Sequence, residues 1–208
     1  MTRYGMVIDL KRCYGCYACT TACKGKNFTP PGVFWARVLK GETGKFPNTV
    51  RQCLPVLCMH CEEPSCLTVC PTGATQQEEG GIVTVEKSKC IGCGYCKMAC
   101  PYGARYMVEE WESYFPHGCP ETEWERFAKV RWEEKSGTGV STKCDFCKER
   151  IPKGKKPACV AACPANARTF GDLDDPQSEI VQLIKRGRGT PLQPELGNEP
   201  KVFYLPPR

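Results

Sequence analysis

The stretch KCIGCGYCKMACP, residues 89–101, decides the fold of this chain. Cys90, Cys93 and Cys96 recur at every third position, so one loop can direct three sulfur atoms at a single point. Cys100 follows four residues later, just before a proline that cannot continue a helix. Cysteines this crowded cannot be bridged in pairs with good disulfide geometry. The spacing therefore indicates a metal-binding loop with a fourth cysteine set apart from the other three.

Three further sets of four cysteines repeat this plan. They are Cys13, Cys16, Cys19 and Cys23 (first set), Cys58, Cys61, Cys66 and Cys70 (second set), and Cys144, Cys147, Cys159 and Cys163 (fourth set). The second, third and fourth sets continue alike, as CPTGAT, CPYGAR and CPANAR, which is an internal repeat. We expect each proline to end a short helix that carries ligands. The first set departs from the pattern, with Lys24 in place of proline.

Iron–sulfur chemistry accounts for this pattern better than other uses of cysteine. Three closely spaced cysteines followed by Cys-Pro are typical of [4Fe-4S] loops in which the last cysteine ligates a different cluster. Structural zinc needs two Cys-x-x-Cys pairs and leaves the repeated Cys-Pro unexplained. A thiol redox site needs only two cysteines. No nucleophile–base pair, phosphate-binding glycine loop or dinucleotide motif is visible, so the sequence predicts an electron relay with four [4Fe-4S] clusters.

Distances along the chain indicate which cysteine sets exchange their fourth ligands. Cys70 and Cys90 are about twenty residues apart, which suits a strand–turn–strand interval, so the second and third sets should exchange their last cysteines. The first and fourth sets are then left to exchange theirs. The predicted ligands are Cys13, Cys16, Cys19 and Cys163 (cluster 1); Cys58, Cys61, Cys66 and Cys100 (cluster 2); Cys90, Cys93, Cys96 and Cys70 (cluster 3); Cys144, Cys147, Cys159 and Cys23 (cluster 4).

Short strands are expected on either side of the ligand loops. Residues 4–10, 82–85, 104–108 and 167–170 are rich in strand formers. We therefore predict an irregular α+β fold of two ferredoxin-like modules, one nested in the other and both organised by the clusters. The predicted domains are an outer module (1–52 plus 141–175), an inner module (53–108), a Trp-rich insertion (109–140) and a C-terminal helix with an extended tail (176–208).

The segments without ligands carry weaker signals. Residues 26–55 are interpreted as a loop-rich excursion. In the insertion, residues 121–134 place Trp124, Phe127 and Trp132 on one side at helical spacing, with Pro120 suited to the first helical position. This side either packs on its own module or forms a partner surface.

Near the C-terminus, Asp175 is expected to cap a helix that opens at Pro176 and buries Ile180, Val181, Leu183 and Ile184. The tail packs on its own modules or on a partner.

Three residues near the cysteine sets have open roles. Cys53 and Cys119 fall outside the four sets and are interpreted as small apolar residues, with a ligand or disulfide role as the alternative. His60 lies inside a ligand loop, where it either donates an N–H group to a cluster sulfur or serves packing.

The net charge does not indicate nucleic-acid binding. The formal charge is +6, but oxidised clusters with four thiolates carry about −2 each, which brings the holoprotein near −2. No run of eighteen apolar residues is present. The opening MTRYGMVIDL leaves no room for a signal peptide, so we expect either a cytoplasmic protein or export with another chain to the extracytoplasmic face, peripheral to the membrane.

The four sets in this order resemble the iron–sulfur electron-transfer subunits of the molybdopterin oxidoreductase superfamily. The openings RYGMVIDLKRC and PPGVFW, the stretch TFGDLDDPQS and the ending PKVFYL resemble the small subunits of polysulfide, thiosulfate and respiratory arsenate reductases. The resemblance implies four [4Fe-4S] clusters with crossed ligands, a large molybdopterin-containing catalytic partner, and a quinone-reactive membrane subunit or another redox partner. The insertion at residues 109–140 departs from the shorter members. The alternative is a freely diffusing polyferredoxin-type carrier.

Overall fold

The computed structural model describes residues 2–115 and 118–207, which form a mixed α/β fold. The strands are β1 (Tyr4–Asp9), β2 (Ala36–Thr43), β3 (Val50–Leu57), β4 (Thr75–Gln77), β5 (Val83–Val85), β6 (Tyr106–Met107), β7 (Ser141–Thr142), β8 (Arg168–Asp172), β9 (Thr190–Pro191) and β10 (Val202–Leu205). The helices are α1 (Ala18–Asn27), α2 (Ser65–Thr68), α3 (Tyr95–Met98), α4 (Glu123–Lys135), α5 (Ala158–Ala161) and α6 (Glu179–Gly187). None of the described helices is long and apolar enough to cross a lipid bilayer.

A four-stranded sheet joins the two ends of the chain in the order β8-β1-β10-β9. Strand β1 pairs antiparallel with β8 and parallel with β10, with Met6 opposite Val202. Because side chains alternate along a strand, Met6 and Ile8 enter the main core while Val7 faces α6. The tail therefore packs on its own chain, as an inner strand of this sheet.

The expected loop-rich excursion at residues 26–55 is wrong for most of its length. Strands β2 and β3 form an antiparallel hairpin, with Ala36 opposite Leu57 at its base and Thr43 opposite Val50 near its tip. The base is buried in the core and the tip is exposed to solvent. The predicted boundary between residues 52 and 53 falls inside β3.

The short strands beside the ligand loops form where the strand-forming runs predict them. Strand β4 pairs antiparallel with β5 in the interval between Cys70 and Cys90. Strand β6 pairs antiparallel with β7, with Tyr106 opposite Thr142, which brings together the two ends of the insertion. This second pair carries Ser141 to the third cysteine set.

The helix of the insertion begins later than predicted. Helix α4 starts at Glu123, because the Thr122 side chain caps it by accepting a hydrogen bond from the Glu125 N–H at 3.2 Å, and Pro120 lies outside. Trp132 is fully buried, with its ring 6.1 Å from that of Trp35. Trp124 is half exposed, so only part of the predicted stripe packs on the rest of the chain.

The C-terminal helix also begins later than predicted. Helix α6 starts at Glu179 after Ser178, and Asp175 instead accepts hydrogen bonds from the Gln177 and Ser178 N–H groups in the preceding turn. Ile180 is fully buried against Val7 and Leu205. The remaining predicted residues of its apolar face, Val181, Leu183 and Ile184, are partly buried in the same cluster.

Candidate metal centres

The proline after the last cysteine sets the length of each ligand helix. Helices α2, α3 and α5 each last a single turn of four residues, and Cys70-Pro71, Cys100-Pro101 and Cys163-Pro164 follow them. Helix α1, which has no such proline, runs for ten residues and carries both Cys19 and Cys23. The expectation that proline ends the ligand helices is confirmed, because a pyrrolidine ring provides no backbone N–H group to continue the helix.

The four Cys-x-x-Cys loops share one backbone feature. The residue before the second cysteine adopts a left-handed conformation in every set: Gly15 at φ 73°, His60 at φ 46°, Gly92 at φ 71° and Phe146 at φ 52°. A Cβ atom on Gly15 would also lie 2.6 Å from Cys53 Sγ, so this position requires glycine twice over. The internal repeat of the sequence is therefore also a repeat of loop geometry.

The helices that carry the ligands pack in the pairs that the crossed assignment requires. Helix α1 of the first set lies against α5 of the fourth set, and α2 of the second set lies against α3 of the third set. A cysteine at the end of one helix is thereby brought to the loop of the other set.

Four cysteines from two sets line one cavity: Cys13, Cys16, Cys19 and Cys163. Cys163 is about 150 residues away from the others along the chain. The Ala167 N–H donates to Cys163 Sγ at 3.3 Å, and the Arg168 side chain also lines this cavity. The group is the one predicted for cluster 1.

A second cavity is lined by Cys70, Cys90, Cys93 and Cys96. The Ser141 N–H donates to Cys90 Sγ at 3.4 Å, and Ser141 Oγ lies 3.3 Å from Cys96 Sγ. Although burial raises the pKa of the Cys70 thiol, hydrogen bonds from Thr75 and Thr72 outweigh it and hold that pKa at about 7. This group is the one predicted for cluster 3.

The thiols of the other two groups are close enough to perturb one another. Burial, followed by the neighbouring thiols of Cys58, Cys66 and Cys100, raises the pKa of Cys61 to about 12. Burial and the thiols of Cys159 and Cys147 raise the pKa of Cys23 to about 12. Burial and the thiols of Cys23, Cys159 and Cys147 raise the pKa of Cys144 well above its usual value. These neighbours are the predicted members of clusters 2 and 4. Crowded buried thiols of this kind deprotonate readily only when a metal supplies the positive charge.

Exposure differs among the four groups. Cys16 in the first and Cys93 in the third are exposed, whereas the second group has no exposed cysteine. All four members of the remaining group, Cys23, Cys144, Cys147 and Cys159, are buried. Two groups thus reach the surface, the second group is partly exposed through Cys61, Cys66 and Cys100, and one group is wholly buried.

His60 and Phe146 connect the loops of the second and fourth sets. Their rings stack with centroids 3.7 Å apart, so the loop of the second set rests directly on the loop of the fourth. His60 Nδ1 accepts the Val83 N–H at 3.1 Å. Burial, with Lys143, Lys201 and Arg105 nearby, lowers the pKa of His60 well below its usual value, so the ring is neutral. The packing role of His60 is confirmed, and an N–H donation from Nε2 to a cluster sulfur stays a prediction.

The other two residues with open roles lie in contrasting places. Cys53 is partly buried in β3 beside the loop of the first set. Cys119 is exposed, so its interpretation as a buried apolar residue is wrong. Lys24, which replaces the proline of the other sets, directs its ammonium group to the carbonyl oxygens of Thr29, Pro30 and Val33.

Two buried arginines were missed by the sequence reasoning. Arg105 and Arg168 are 3% and 4% exposed, and each lies among cysteines of two different groups. The signal was present in the repeat itself, because CPYGAR and CPANAR end on these two residues.

Comparisons with known proteins point to iron–sulfur proteins. A family model described as a 4Fe-4S dicluster domain matches residues 49–122 and 117–173. The selenate reductase B subunit of Mesobacillus selenatarsenatis is 45% identical over 96% of this chain and 70% of its own length. The sulfite dehydrogenase B subunit of Allochromatium vinosum is 40% identical over 100% of this chain and 85% of its own. The arsenate respiratory reductase iron–sulfur subunit of Shewanella sp. strain ANA-3 is 38% identical over 98% and 96%.

Proposed function

Because this chain belongs to the 4Fe-4S dicluster family that includes the iron–sulfur subunits of respiratory oxidoreductases, we propose that it relays electrons for a catalytic partner. It binds [4Fe-4S] clusters, two for each of the two dicluster matches, and each bound cluster can take up and release one electron. The observation that carries the proposal is the set of four cysteine groups, each assembled from two distant segments.

The ligands of the four clusters are those of the crossed assignment. The two cavities, each lined by three cysteines of one set and the last cysteine of another, support clusters 1 and 3. The packing of α2 on α3 and of α1 on α5, together with the closeness of the thiols within each of the other two groups, supports clusters 2 and 4. The residues present fit the cofactor, because each group offers four thiols, which are the ligands that hold a [4Fe-4S] cluster.

The cluster pairs define two ferredoxin-like modules, one nested in the other. The outer module comprises residues 1–52 and 141–175 and holds clusters 1 and 4; the inner module comprises residues 53–108 and holds clusters 2 and 3. The pairing of β1 with β8 and the packing of α1 on α5 support the outer module. The pairing of β4 with β5 and the packing of α2 on α3 support the inner one. Residues 109–140 are an insertion, and residues 176–208 contribute strands β9 and β10 to the four-stranded sheet.

The relay runs in the order cluster 1, cluster 4, cluster 2, cluster 3, or the reverse. The groups for clusters 1 and 3 each include an exposed cysteine, Cys16 and Cys93, which suits the two ends of a relay. The stack of His60 on Phe146 supports contact between the modules at clusters 2 and 4. Electrons can then enter at one surface of the protein and leave at another.

The partner at one end is a large molybdopterin-containing protein with molybdenum or tungsten. At the other end is a quinone-linked membrane protein or another redox protein. The names of the relatives support the first partner, since each of them is one subunit of a larger reductase or dehydrogenase. The chain is peripheral to the membrane and shares the location of its catalytic partner, at the extracytoplasmic face after joint export or in the cytoplasm.

Affinity purification under anaerobic conditions separates this proposal from a freely diffusing carrier. The full chain, tagged and expressed in its native host, should emerge with a much larger chain that contains molybdenum or tungsten in stoichiometric amount. A chain that emerges alone with its clusters intact would establish the carrier and overturn the proposal.

A further inference from the structure

Arg105 and Arg168 occupy the same position in the repeat. Each lies five residues after the last cysteine of its set, Cys100 in the third and Cys163 in the fourth. The corresponding residue of the second set is Thr75, and that of the first is Phe28. The proposed modules thus contain one such arginine each.

Arg105 reaches ligands of both clusters of the inner module. Its Nη2 donates to Cys66 Sγ at 3.0 Å, and Cys66 belongs to the group for cluster 2. Its Nη1 donates to Ser141 Oγ at 3.4 Å, and that hydroxyl lies 3.3 Å from Cys96 Sγ in the group for cluster 3. The guanidinium therefore lies between the two groups.

Arg168 holds the equivalent place in the outer module. Arg168 lines the cavity of cluster 1. Burial opposes its charge, but the thiols of Cys159, Cys19 and Cys144 raise the pKa of the guanidinium, and these cysteines belong to the groups for clusters 1 and 4. Nη1 lies 3.8 Å from Met6 Sδ, and Nη2 is buried without a hydrogen-bond partner among the described residues. A buried N–H donor of this kind requires an acceptor, and the outer cluster sites are next to it.

A purely structural role explains these residues poorly. Burying a cation is costly unless an anion lies nearby. Within residues 2–115 and 118–207, neither arginine forms an ion pair with a carboxylate. By contrast, buried Lys201 pairs with Glu62 at 2.9 Å. The groups that face Arg105 and Arg168 include cysteines of two groups each, and these become anionic when they ligate a cluster.

We propose that Arg105 and Arg168 act on the clusters through their positive charge. Each of them sets the reduction potentials of the two clusters of one module. The inference rests on the proposed function, since it requires the four clusters. Reduction adds a negative charge to a cluster, and a buried guanidinium stabilises that charge strongly because the surrounding dielectric is low. Each arginine therefore raises two potentials together.

The test is an EPR-monitored redox titration of the anaerobic full-length holoprotein. Arg105→Gln should lower the reduction potentials of two centres by at least about 59 mV, which is a tenfold shift of a one-electron equilibrium. The potentials of the other two centres should stay unchanged. Arg168→Gln should shift the complementary pair. Arg105→Lys and Arg168→Lys keep the charge and should shift the same pairs by less. Arg131→Gln is the matched control, since this exposed arginine pairs with Glu134 on α4 and should shift none.

The outcomes separate this inference from the proposed function. Gln variants with full iron content and unchanged potentials would overturn it, as would equal shifts of all four centres. Loss of clusters in both the Gln and the Lys variant would also overturn it, because the role would then be structural. Failure of the proposed function would instead appear in the unmodified chain, as absent clusters or an absent catalytic partner.

Discussion

Replacing Cys159 and Cys163 one at a time tests the crossed ligand assignment most sharply. The two cysteines are only four residues apart on either side of the end of α5, yet they belong to different groups. Cys163 lines a cavity with Cys13, whereas Cys159 is buried beside Cys23. Cys163→Ser and Cys13→Ser should therefore abolish or convert the same centre, and Cys159→Ser and Cys23→Ser should abolish or convert another.

The magnitude follows from the composition of one cluster. Loss of a whole cluster removes about four of the ~16 irons per chain, and conversion to a three-iron form removes about one. Iron analysis gives the number lost, and EPR of the reduced protein identifies which centre has changed. Cys119→Ser is the control, because this exposed cysteine lies outside the four groups and its loss should leave the iron content intact. Loss of the same centre in the Cys159 and Cys163 variants would refute the crossed arrangement.

Three further predictions follow from packing and loop geometry. Trp132→Ala should destabilise α4 locally by about 3–5 kcal/mol, because the ring is fully buried, whereas half-exposed Trp124→Ala on the same helix should cost far less; hydrogen exchange of residues 123–135 measures both. Ile180→Ala should lower the stability of the α6 contact by about 2–5 kcal/mol, seen as faster proteolysis of the C-terminal segment, and an unchanged rate would contradict this packing. Gly15→Ala should lower the iron content by about four irons per chain. Gly25 has open space around it, so Gly25→Ala should leave the iron content unchanged. Equal iron contents in the two variants would contradict the argument from loop geometry.

The sequence predicted the features that depend on short-range spacing. Cysteines three residues apart, Cys-Pro after a single helical turn, and the strand formers of β1, β5 and β8 all act within a few residues of one another. The one-turn helices that end before Pro71, Pro101 and Pro164 follow from the chemistry of proline alone. The absence of that proline also accounts for the longer α1, although its length was not foreseen.

The features that the sequence did not predict depend on distant partners. The hairpin of β2 and β3 was missed because Gly41 and Pro55 weaken the strand signal, and it is stabilised by contacts such as the Tyr204 hydroxyl donating to the Pro55 carbonyl at 2.9 Å. Strand β10 is a run of four strand formers whose partner β1 lies at the other end of the chain. Arg105 and Arg168 recur at the same position of the repeat, but their burial between two cysteine groups depends on segments far away in the chain.

The starts of two helices were misplaced because the sequence pattern does not show which local hydrogen bonds form. Thr122 caps α4, so the helix begins after Pro120 and not at it. Helix α6 begins at Glu179, after the turn in which Asp175 accepts the Gln177 N–H group. The side of α4 that is buried is chosen by Trp35 of the core, which the periodicity of the helix does not specify.

The most direct test of the relay is the number of reducible centres in anaerobically prepared full-length protein. Iron and acid-labile sulfide analysis combined with reductive EPR titration should give ~16 irons per chain and four one-electron centres. A colourless preparation without an iron–sulfur signal, or fewer than four centres after full reconstitution, would contradict the account.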